Sequence, residues 1–266
     1  MSKSCEICAL VRSAEDADAV REAGATRVYL DVIDAEPTDE LLDAVARQGI
    51  VPVLDEVCRE PDHARLDPWA RPGLPVAVGN ISELALARER GALGETRPCI
   101  PVHNASTLRL IEGLGARCAW LSPELSLAEA CELACTGVLP VGMTVYGRPR
   151  LMTCEHCALQ VAYECDRDHA CCPHRRKPHW LVNIDDRHLP VHTDARGRSR
   201  VYLDEPVDFI VHARELADAG VSRLLVDAST TNVAEACDAL RRLRRALAGE
   251  PVLARGSVGL AETGVQ

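Results

Sequence analysis

Five cysteines lie close together in the second half of the chain, and their types and spacing point to metal chemistry. They are Cys154, Cys157, Cys165, Cys171 and Cys172, with histidines interleaved between them. Thiolates bind soft or borderline metals, and four of them saturate either a tetrahedral zinc ion or an iron–sulfur cluster. Short separations also lower the loop-closure entropy of bringing ligands together. The sequence therefore predicts a metal or iron–sulfur site, and ligand type alone leaves zinc and iron–sulfur both open.

The remaining cysteines do not form an obvious disulfide framework. The chain has thirteen cysteines, an odd number, and its first residues lack the pattern of a secretory signal. Cysteines that fall within apolar strand or helix patterns are expected to be buried, because free cysteine behaves as a small core residue. These are Cys99, Cys118, Cys131, Cys135 and Cys237.

A second set of candidates follows the predicted strands. The set comprises Asp31, Asp55, Glu56, Asn80, His103, Asn104, Ser122, Glu124, Tyr146, Arg148 and Asp227. His103 and Glu124 are a base and an acid that can move a proton or bind a polar substrate; alternatively, Glu124 only caps the next helix. Arg148 can hold a substrate carboxylate with its planar fork, or pair with a neighbouring acid. We expect His103, Glu124, Tyr146 and Arg148 to serve catalysis.

These residues must be positioned by alternating strands and helices. Apolar runs end in turn signals and are followed by capped amphipathic segments, which predicts strands at 6–11, 27–33, 50–57, 74–80, 97–104, 117–124, 138–147 and 222–229. Such alternation implies parallel strands with right-handed crossovers. Eight strands with eight helices predict a single-domain (β/α)8 TIM-barrel-like α/β fold. The rival, an open doubly wound sheet, is weakened because no G-x-G-x-x-G follows the first strand.

The alternation is interrupted once. Residues 1–147 hold the first seven units, 148–204 form a cysteine-rich insertion after strand seven, and 205–266 supply the final helix, strand and helix. A connection this long inside a compact domain is usually functional. It leaves the carboxyl end of a strand, the face on which barrel enzymes place their chemistry.

Composition narrows the function classes. The net charge of −10 disfavours nucleic acid as a general partner, although the basic run at 175–177 lies near Trp180, which leaves local RNA binding open. A small-molecule substrate is favoured. No apolar run is long enough to span a membrane, and with no signal sequence the chain is expected to be cytoplasmic. Neither G-x-S-x-G nor H-E-x-x-H occurs, so the common serine-hydrolase and zinc-protease signatures are absent from the sequence.

Several stretches of the chain together resemble the peptidase U32 family, also called collagenase-like proteases. The resemblance rests on AVREAGATRVYLD, LPVAVGNISELALARERG, IPVHNASTLRLIEGLGARCAWLSPELSLAEACEL, VYGRPRLMTCEHCAL and LVNIDDRHLPVHTDARGRSRVYLDEPVD. It implies a barrel with a cysteine-ligated cluster on the loop after the seventh strand. Some members are cluster-containing proteins of oxygen-independent hydroxylation, acting on RNA bases or a quinone precursor with prephenate as the hydroxyl source. Others are described as peptidases.

The resemblance also implies a ligand set. Cys157, Cys165 and Cys172 match cysteines of the family, whereas the stretch TDARGR lacks a cysteine that some members use. Cys171 is the expected fourth ligand, with Cys154 and His169 as alternatives. The implied cofactor is an iron–sulfur cluster of the 4Fe–4S type, with zinc as the alternative.

Three functions follow as expectations: a cluster-dependent hydroxylation protein acting on an RNA base or an aromatic small molecule, a peptidase, or a zinc-stabilised non-catalytic partner. A second U32-type subunit is an expected partner.

Overall fold

The computed structural model describes residues 5–163 and 171–258. The chain divides into two compact units, Met1–Gly147 with Asp208–Gln266, and Arg148–Val207. In the described residues, no helix is both long and apolar enough to cross a membrane.

The first unit alternates strands with helices from its start. Its first seven strands and six helices are β1 (Glu6–Val11), α1 (Asp16–Glu22), β2 (Arg27–Asp31), α2 (Asp39–Arg47), β3 (Val51–Val53), α3 (His63–Leu66), β4 (Pro75–Val78), α4 (Ile81–Glu89), β5 (Leu93–Thr96), α5 (Ala105–Gly113), β6 (Cys118–Trp120), α6 (Leu127–Cys135) and β7 (Val141–Gly147). Short 3-10 turns flank α3 at Glu60–Asp62 and Asp67–Trp69.

The second unit follows β7 and has a different architecture. It contains β8 (Arg150–Cys154), α7 (Ala158–Tyr163), β9 (His179–Val182), β10 (His188–Thr193) and β11 (Ser199–Tyr202). The four strands form an antiparallel sheet in the order β8-β11-β10-β9. The chain then returns through β12 (Val207–Asp208), a 3-10 turn at Ile210–His212, α8 (Ala213–Asp218), β13 (Arg223–Asp227) and α9 (Val233–Leu247).

Eight parallel strands close into a barrel. Their order is β7-β13-β1-β2-β3-β4-β5-β6, and β6 pairs with β7 to complete the circle. Every pairing in this circuit is parallel, with helices between successive strands. The predicted (β/α)8 fold class is therefore confirmed, and the carboxyl ends of all eight strands open on one face.

Helix starts on that face are fixed by side-chain caps. The first turns of α2, α4, α5, α6 and α9 each donate a backbone N–H to a side-chain oxygen three residues earlier: Thr38, Asn80, Asn104, Ser126 and Asn232. A cap satisfies one of the donors that a helix leaves unpaired at its start. The caps therefore determine where each strand-to-helix loop ends.

The fifth strand is not where the sequence predicts it. The prediction is 97–104, but β5 is Leu93–Thr96 and pairs with β4 along its whole length. Pro98 and Pro101 lie in the predicted segment, and proline cannot donate to a ladder. The apolar run 97–104 is consequently the loop after β5, and it places His103 in that loop rather than at a strand end.

The predicted burial of cysteines holds only in part. Cys118 and Cys237 are buried, Cys131 is half-buried, and Cys99 and Cys135 are exposed. Cys99 lies in the loop after β5, and Cys135 is the last residue of α6. Their apolar neighbours predict core positions, but Cys99 lies in a loop, Cys135 ends a helix, and both are exposed.

The interior of the barrel is apolar at its centre. Cys8, Tyr29, Val51, Val53, Ala77, Trp120 and Leu225 form one buried cluster. Tyr29 and Trp120 meet edge to face with ring centroids 5.5 Å apart. A Cβ at position 142 would lie 2.7 Å from the Trp120 ring, so only glycine fits there. Tyr29 and Trp120 thus fill part of the barrel interior.

Below this cluster, at the amino ends of the strands, lies a buried ionic network centred on Glu95. Its carboxylate is 2.5 Å from Arg27 Nη2 and 2.8 Å from Arg223 Nη1, and it accepts a hydrogen bond of 2.7 Å from the Tyr29 hydroxyl. Arg223 also contacts Glu6 at 2.7 Å. Glu95 is only 2% exposed. A buried charge is tolerated only when it is paired, so the network balances the cost of removing these groups from water.

We predict that Glu95→Gln destabilises the barrel by about 3 kcal/mol, because it removes the buried carboxylate that the half-buried guanidinium groups of Arg27 and Arg223 share. Urea unfolding should show a lower midpoint with an unchanged slope. Asp18→Asn is the matched control, since it breaks the exposed pair between Asp18 and Arg21. That change should cost less than about 0.5 kcal/mol. Equal effects of the two substitutions would contradict a structural role for the network.

Candidate functional site

Several barrel strands end in the same local turn, in which a side-chain oxygen accepts a hydrogen bond from the backbone. Asp31, Asp55 and Asp227 each follow or end a strand, and each accepts a backbone N–H from the residue two positions later, at 3.0, 3.3 and 2.8 Å. Ser122 accepts from Glu124 N in the same way at 3.3 Å. Such turns fix the side chain against its own backbone. Four strand ends therefore carry oriented oxygen atoms.

Arg97 supplies positive charge to this face. It follows β5, and its Nη1 donates to the Leu54 carbonyl at 2.7 Å and lies 3.0 Å from Glu56 Oε2. Burial by itself lowers the pKa of Arg97, but the negative groups around it, from Cys99 and Glu56 to Asp31 and Asp55, raise that pKa above its usual value. Arg97 is thus a fixed cation between the ends of β3 and β5.

Asp227, on the same face, is a carboxyl group whose pKa is raised. Burial raises its pKa above the usual value, while its hydrogen bonds to Ser229 and the charge of Arg12 act in the opposite direction. The charge of Asp31 raises it further. Neighbouring carboxylates of one sign disfavour each other's ionised forms, which is one way that active sites tune acids.

Glu83 is a functional candidate that sequence reasoning missed. Its Oε2 accepts the Gly79 N–H at 2.8 Å, and its own N–H donates to Asn80 Oδ1 at 2.9 Å. Its Oε1 is buried and has no hydrogen-bond partner among the described residues. Burial raises the pKa of Glu83 to about 7. The signal in the sequence is the glycine followed by the N-x-x-E capping pattern at 79–83.

Gly79 explains how this carboxyl becomes enclosed. A Cβ at position 79 would lie 2.5 Å from the Cα of Glu56, so the loops after β3 and β4 touch through bare backbone. The Gly79 carbonyl also accepts a contact of 3.4 Å from the Cys99 thiol. The loops after β3, β4 and β5 therefore meet at Gly79, which donates to the buried Glu83 carboxylate, and burial brings the pKa of Glu83 to about 7.

Two of the predicted catalytic residues meet. His103 Nε2 and Glu124 Oε2 are 3.3 Å apart, joining the loop after β5 to the loop after β6. Both side chains are exposed, at 44% and 58%. Glu124 does not cap α6, because Ser126 and Glu129 form the capping box there. An exposed pair contributes little to stability, so these two groups are available for proton transfer or for a polar ligand.

The other two predicted residues have different surroundings. A bulge in β7 pairs Thr144 with Leu225 but Tyr146 with Val226, which turns Tyr146 to the outer side of the barrel. Its hydroxyl donates to Glu235 Oε1 on α9 at 2.6 Å, and burial raises its pKa. Arg148 belongs to the second unit, where its Nε donates to the Asp204 carbonyl at 3.3 Å. Catalytic roles for these residues stay predictions.

The thiols of the second unit occupy distinct environments. Cys157 is buried, Cys154 and Cys172 are half-buried, and Cys171 is exposed; none of the four is in a disulfide. Cys154 lies opposite Ser199 in the ladder, and the Ser199 hydroxyl accepts the Ala158 N–H at 2.9 Å just after Cys157. Cys165 and His169 lie outside the described residues. Within 5–163 and 171–258, no three histidine, cysteine or acidic side chains converge as metal ligands.

The donor chemistry nonetheless suits a soft or borderline metal. The four described thiols of the second unit are free of disulfides, and His174 Nδ1 is buried without a hydrogen-bond partner among the described residues. The His174 ring stacks on Tyr163 with centroids 3.9 Å apart, and its carbonyl contacts His179 Nε2 at 2.8 Å. The residues present therefore fit a thiolate-bound metal or cluster by donor type.

A buried polar framework supports this unit. Arg200 and Asp194 are almost fully buried and lie 3.0 Å apart. Asp194 Oδ1 also accepts the N–H groups of Arg196 and Arg198, which closes the turn between β10 and β11. Thr193 and Ser199 hydroxyls meet at 2.9 Å across the same hairpin. The stretch TDARGR thus forms the turn of the β10–β11 hairpin, and β11 in turn pairs with β8, where Ser199 lies opposite Cys154.

Comparison with known proteins gives only distant likenesses. No protein-family model matches the sequence, and no curated protein is significantly similar. The chain is similar to the U32 peptidase Mk0906, with 14% identity and a TM-score of 0.43 over 56% of this chain and 71% of that one. It is also similar to the spore cortex-lytic enzyme SleL of Bacillus megaterium QM B1551, with 10% identity and a TM-score of 0.41 over 96% and 76%. At these values the likenesses carry no argument about function.

We predict that Glu83 makes stability depend on pH. Its pKa is about 7 when folded against 4.5 as an isolated group, so the folded state binds its proton more tightly. The stability that this proton contributes is present below about pH 4.5 and is lost as the pH rises through about 7. Glu83→Gln keeps an acceptor for the Gly79 N–H but cannot titrate. The free energy of unfolding of this variant should therefore fall by up to about 3 kcal/mol less than that of the parent protein as the pH rises.

The measurement is urea unfolding of both proteins between about pH 5 and pH 8. Glu89→Gln is the matched control, because Glu89 is exposed on the same helix. Identical pH profiles for the parent protein and Glu83→Gln would show that the buried carboxyl does not titrate in this range.

Proposed function

We propose that this chain is an iron–sulfur protein related to the peptidase U32 family, and that it supports oxygen-independent hydroxylation of an RNA base or an aromatic small molecule. The observation that carries the proposal is the cluster of five cysteines confined to the segment after β7, beginning in the stretch VYGRPRLMTCEHC. We assign Cys157, Cys165, Cys172 and Cys171 as ligands, with Cys154 and His169 as alternatives for the fourth position.

The position of Cys157 supports a ligand role. It lies between β8 and α7, is 4% exposed, and is flanked by backbone that the Ser199 hydroxyl holds. A ligand on an ordered framework loses little conformational entropy when it binds a metal. Cys171 and Cys172 are adjacent in sequence and more exposed. Their thiols can therefore adjust their positions to a metal or cluster that Cys157 holds in place.

When bound, a 4Fe–4S cluster supplies one-electron redox chemistry. The barrel residues supply the rest of the proposed reaction. His103 and Glu124 hold and move a proton between Nε2 and a carboxylate oxygen. Arg97, a fixed cation, attracts the carboxylate of a small hydroxyl donor of the prephenate type. The net charge of −10 favours such a small molecule over RNA as the group bound in the barrel.

We predict that anaerobically purified protein is brown and carries about four iron and about four sulfide per chain. Cys157→Ser and Cys172→Ser should each lose most of the iron, because three thiolates hold a cluster weakly. Cys135→Ser is the matched control, since Cys135 is exposed on α6 in the other unit. A colourless protein with stoichiometric zinc would favour the structural alternative and eliminate hydroxylation.

The fourth ligand can be identified by substitution. Cys171→Ser should lower iron content as strongly as Cys172→Ser, whereas Cys154→Ser and His169→Ala should leave it near the parent value. If His169→Ala is the damaging change instead, the cluster of the parent protein should have a raised reduction potential, as histidine ligation produces. Iron analysis and redox titration of the four variants measure this directly.

Turnover of gelatin or casein by the pure protein, lost on Glu124→Gln, would favour the peptidase alternative over hydroxylation.

A further inference from the structure

A thiol, an imidazole and a carboxylate lie together on the loop and turns after β3. Cys58 Sγ is 3.9 Å from both ring nitrogens of His63, and His63 Nδ1 is 2.9 Å from Asp67 Oδ1. The same three kinds of group activate nucleophiles in unrelated hydrolases, with the carboxylate orienting the imidazole and the imidazole accepting the proton. A distance of 3.9 Å to sulfur is long, but such contacts are often loose before a substrate binds.

Local sequence explains the arrangement. His63 and Asp67 are four residues apart, so consecutive helical turns place them on one face. Asp62 accepts the Arg59 N–H at 2.9 Å and fixes the start of these turns, next to Cys58. Arg90, at the end of α4, donates to the Asp67 carbonyl at 2.6 Å and lies 3.3 Å from its carboxylate. The carboxylate that orients the imidazole is therefore itself held in place.

The electrostatics favour a protonated imidazole beside the thiol. The hydrogen bond that His63 donates to Asp67, and then the negative charge of Asp67, raise the pKa of His63, with smaller contributions in the same direction from Asp62 and Glu83. Arg90, on the far side of Asp67, is the cation that faces this group. A thiol beside an imidazolium ion ionises more readily than an isolated one. The His63 side chain is 53% exposed, so a substrate can approach it.

We propose that Cys58, His63 and Asp67 form a second reactive centre that transfers acyl groups from activated esters or thioesters. His63 Nε2 takes the thiol proton, and the Cys58 sulfur attacks the carbonyl carbon to form an S–C bond. The C–O or C–S bond of the donor breaks, and the leaving group takes the proton from His63. Water then hydrolyses the acyl-cysteine, releases the carboxylic acid and returns the thiol.

The competing explanation is an ordinary surface ion pair. An exposed His–Asp pair at this spacing contributes little, and a cysteine can lie beside it without being reactive. The two explanations differ in what they require of Cys58. Activation requires Cys58 to react faster than other accessible thiols, and to lose that advantage when His63 is changed.

The first test is alkylation of the full-length protein by iodoacetamide, with each cysteine followed by mass spectrometry. At about pH 6.5, Cys58 should react about tenfold faster than Cys135, the exposed control thiol. His63→Gln should remove this advantage, and Asp67→Asn should reduce it by a smaller factor. All three side chains lie at the surface or half-buried, and the melting temperature of each variant verifies folding. A Cys58 rate equal to that of Cys135 overturns the proposal.

The second test uses p-nitrophenyl acetate as the acyl donor. The parent protein should release p-nitrophenol in a burst of about one equivalent, with an acetyl group on the Cys58 peptide. Cys58→Ser should abolish the burst. His63→Gln should slow the burst and the later turnover at least tenfold and shift their pH profiles. A reactive Cys58 without acetylation overturns the acyl-transfer assignment.

The same assays on Cys157→Ser separate this centre from the proposed metal site. Because Cys58 belongs to the barrel unit and Cys157 to the other, the burst should persist in that variant even if iron is lost. A burst that disappears with Cys157→Ser but survives Cys58→Ser would place the nucleophile in the cysteine cluster instead.

Discussion

The carboxylate of Glu95 is a charge inside a barrel, and the strands around it must supply its partners. Arg27 comes from β2 and Arg223 from β13, which lie on opposite sides of β5 in the circuit. These contacts cross the lumen rather than run along one strand pair. A one-residue slip of any of these strands would turn its charge outward and leave the others buried without partners. The network therefore fixes strand register as well as closing the amino end of the barrel.

The opposite end of the barrel follows a different rule. At the amino end the charges around Glu95 neutralise one another, whereas at the carboxyl end Asp31, Asp55 and Asp227 each accept a hydrogen bond from the backbone two residues later, beside the Arg97–Glu56 pair. Glu83 there keeps an oxygen without a partner among the described residues and holds its proton near neutrality. The stabilising ionic network therefore lies at the amino end of the barrel, and the titratable acids lie at the carboxyl end. (β/α)8 proteins generally show this division between a stabilising face and a functional face.

Local signals in the sequence predicted much of this fold. Caps such as Asn80 and Ser126 and the regular alternation of elements are short-range features, so they could be read directly. The displaced β5 has a local signal, since Pro98 and Pro101 lie in the segment where the strand is predicted. The bulge that turns Tyr146 outward depends on which strands pair, and no local pattern encodes that. The Glu95 network and the enclosure of Glu83 depend on side chains brought together by closure of the barrel. The His103–Glu124 contact was foreseeable only because both loops leave the same face.

The thiols of this chain have different neighbours according to whether they lie in the core or on the segments between elements. Burial raises the pKa of Cys8 and raises that of Cys118 to about 12, so both remain protonated and act as small apolar side chains. Cys58 and Cys157 lie instead on segments that follow the carboxyl ends of β3 and β7. Those segments supply what the core lacks: an imidazole and a carboxylate beside Cys58, and further thiols near Cys157 in sequence. The thiols for which we propose chemistry therefore lie on segments that follow strand ends, whereas Cys8 and Cys118, whose pKa burial raises, lie in the core.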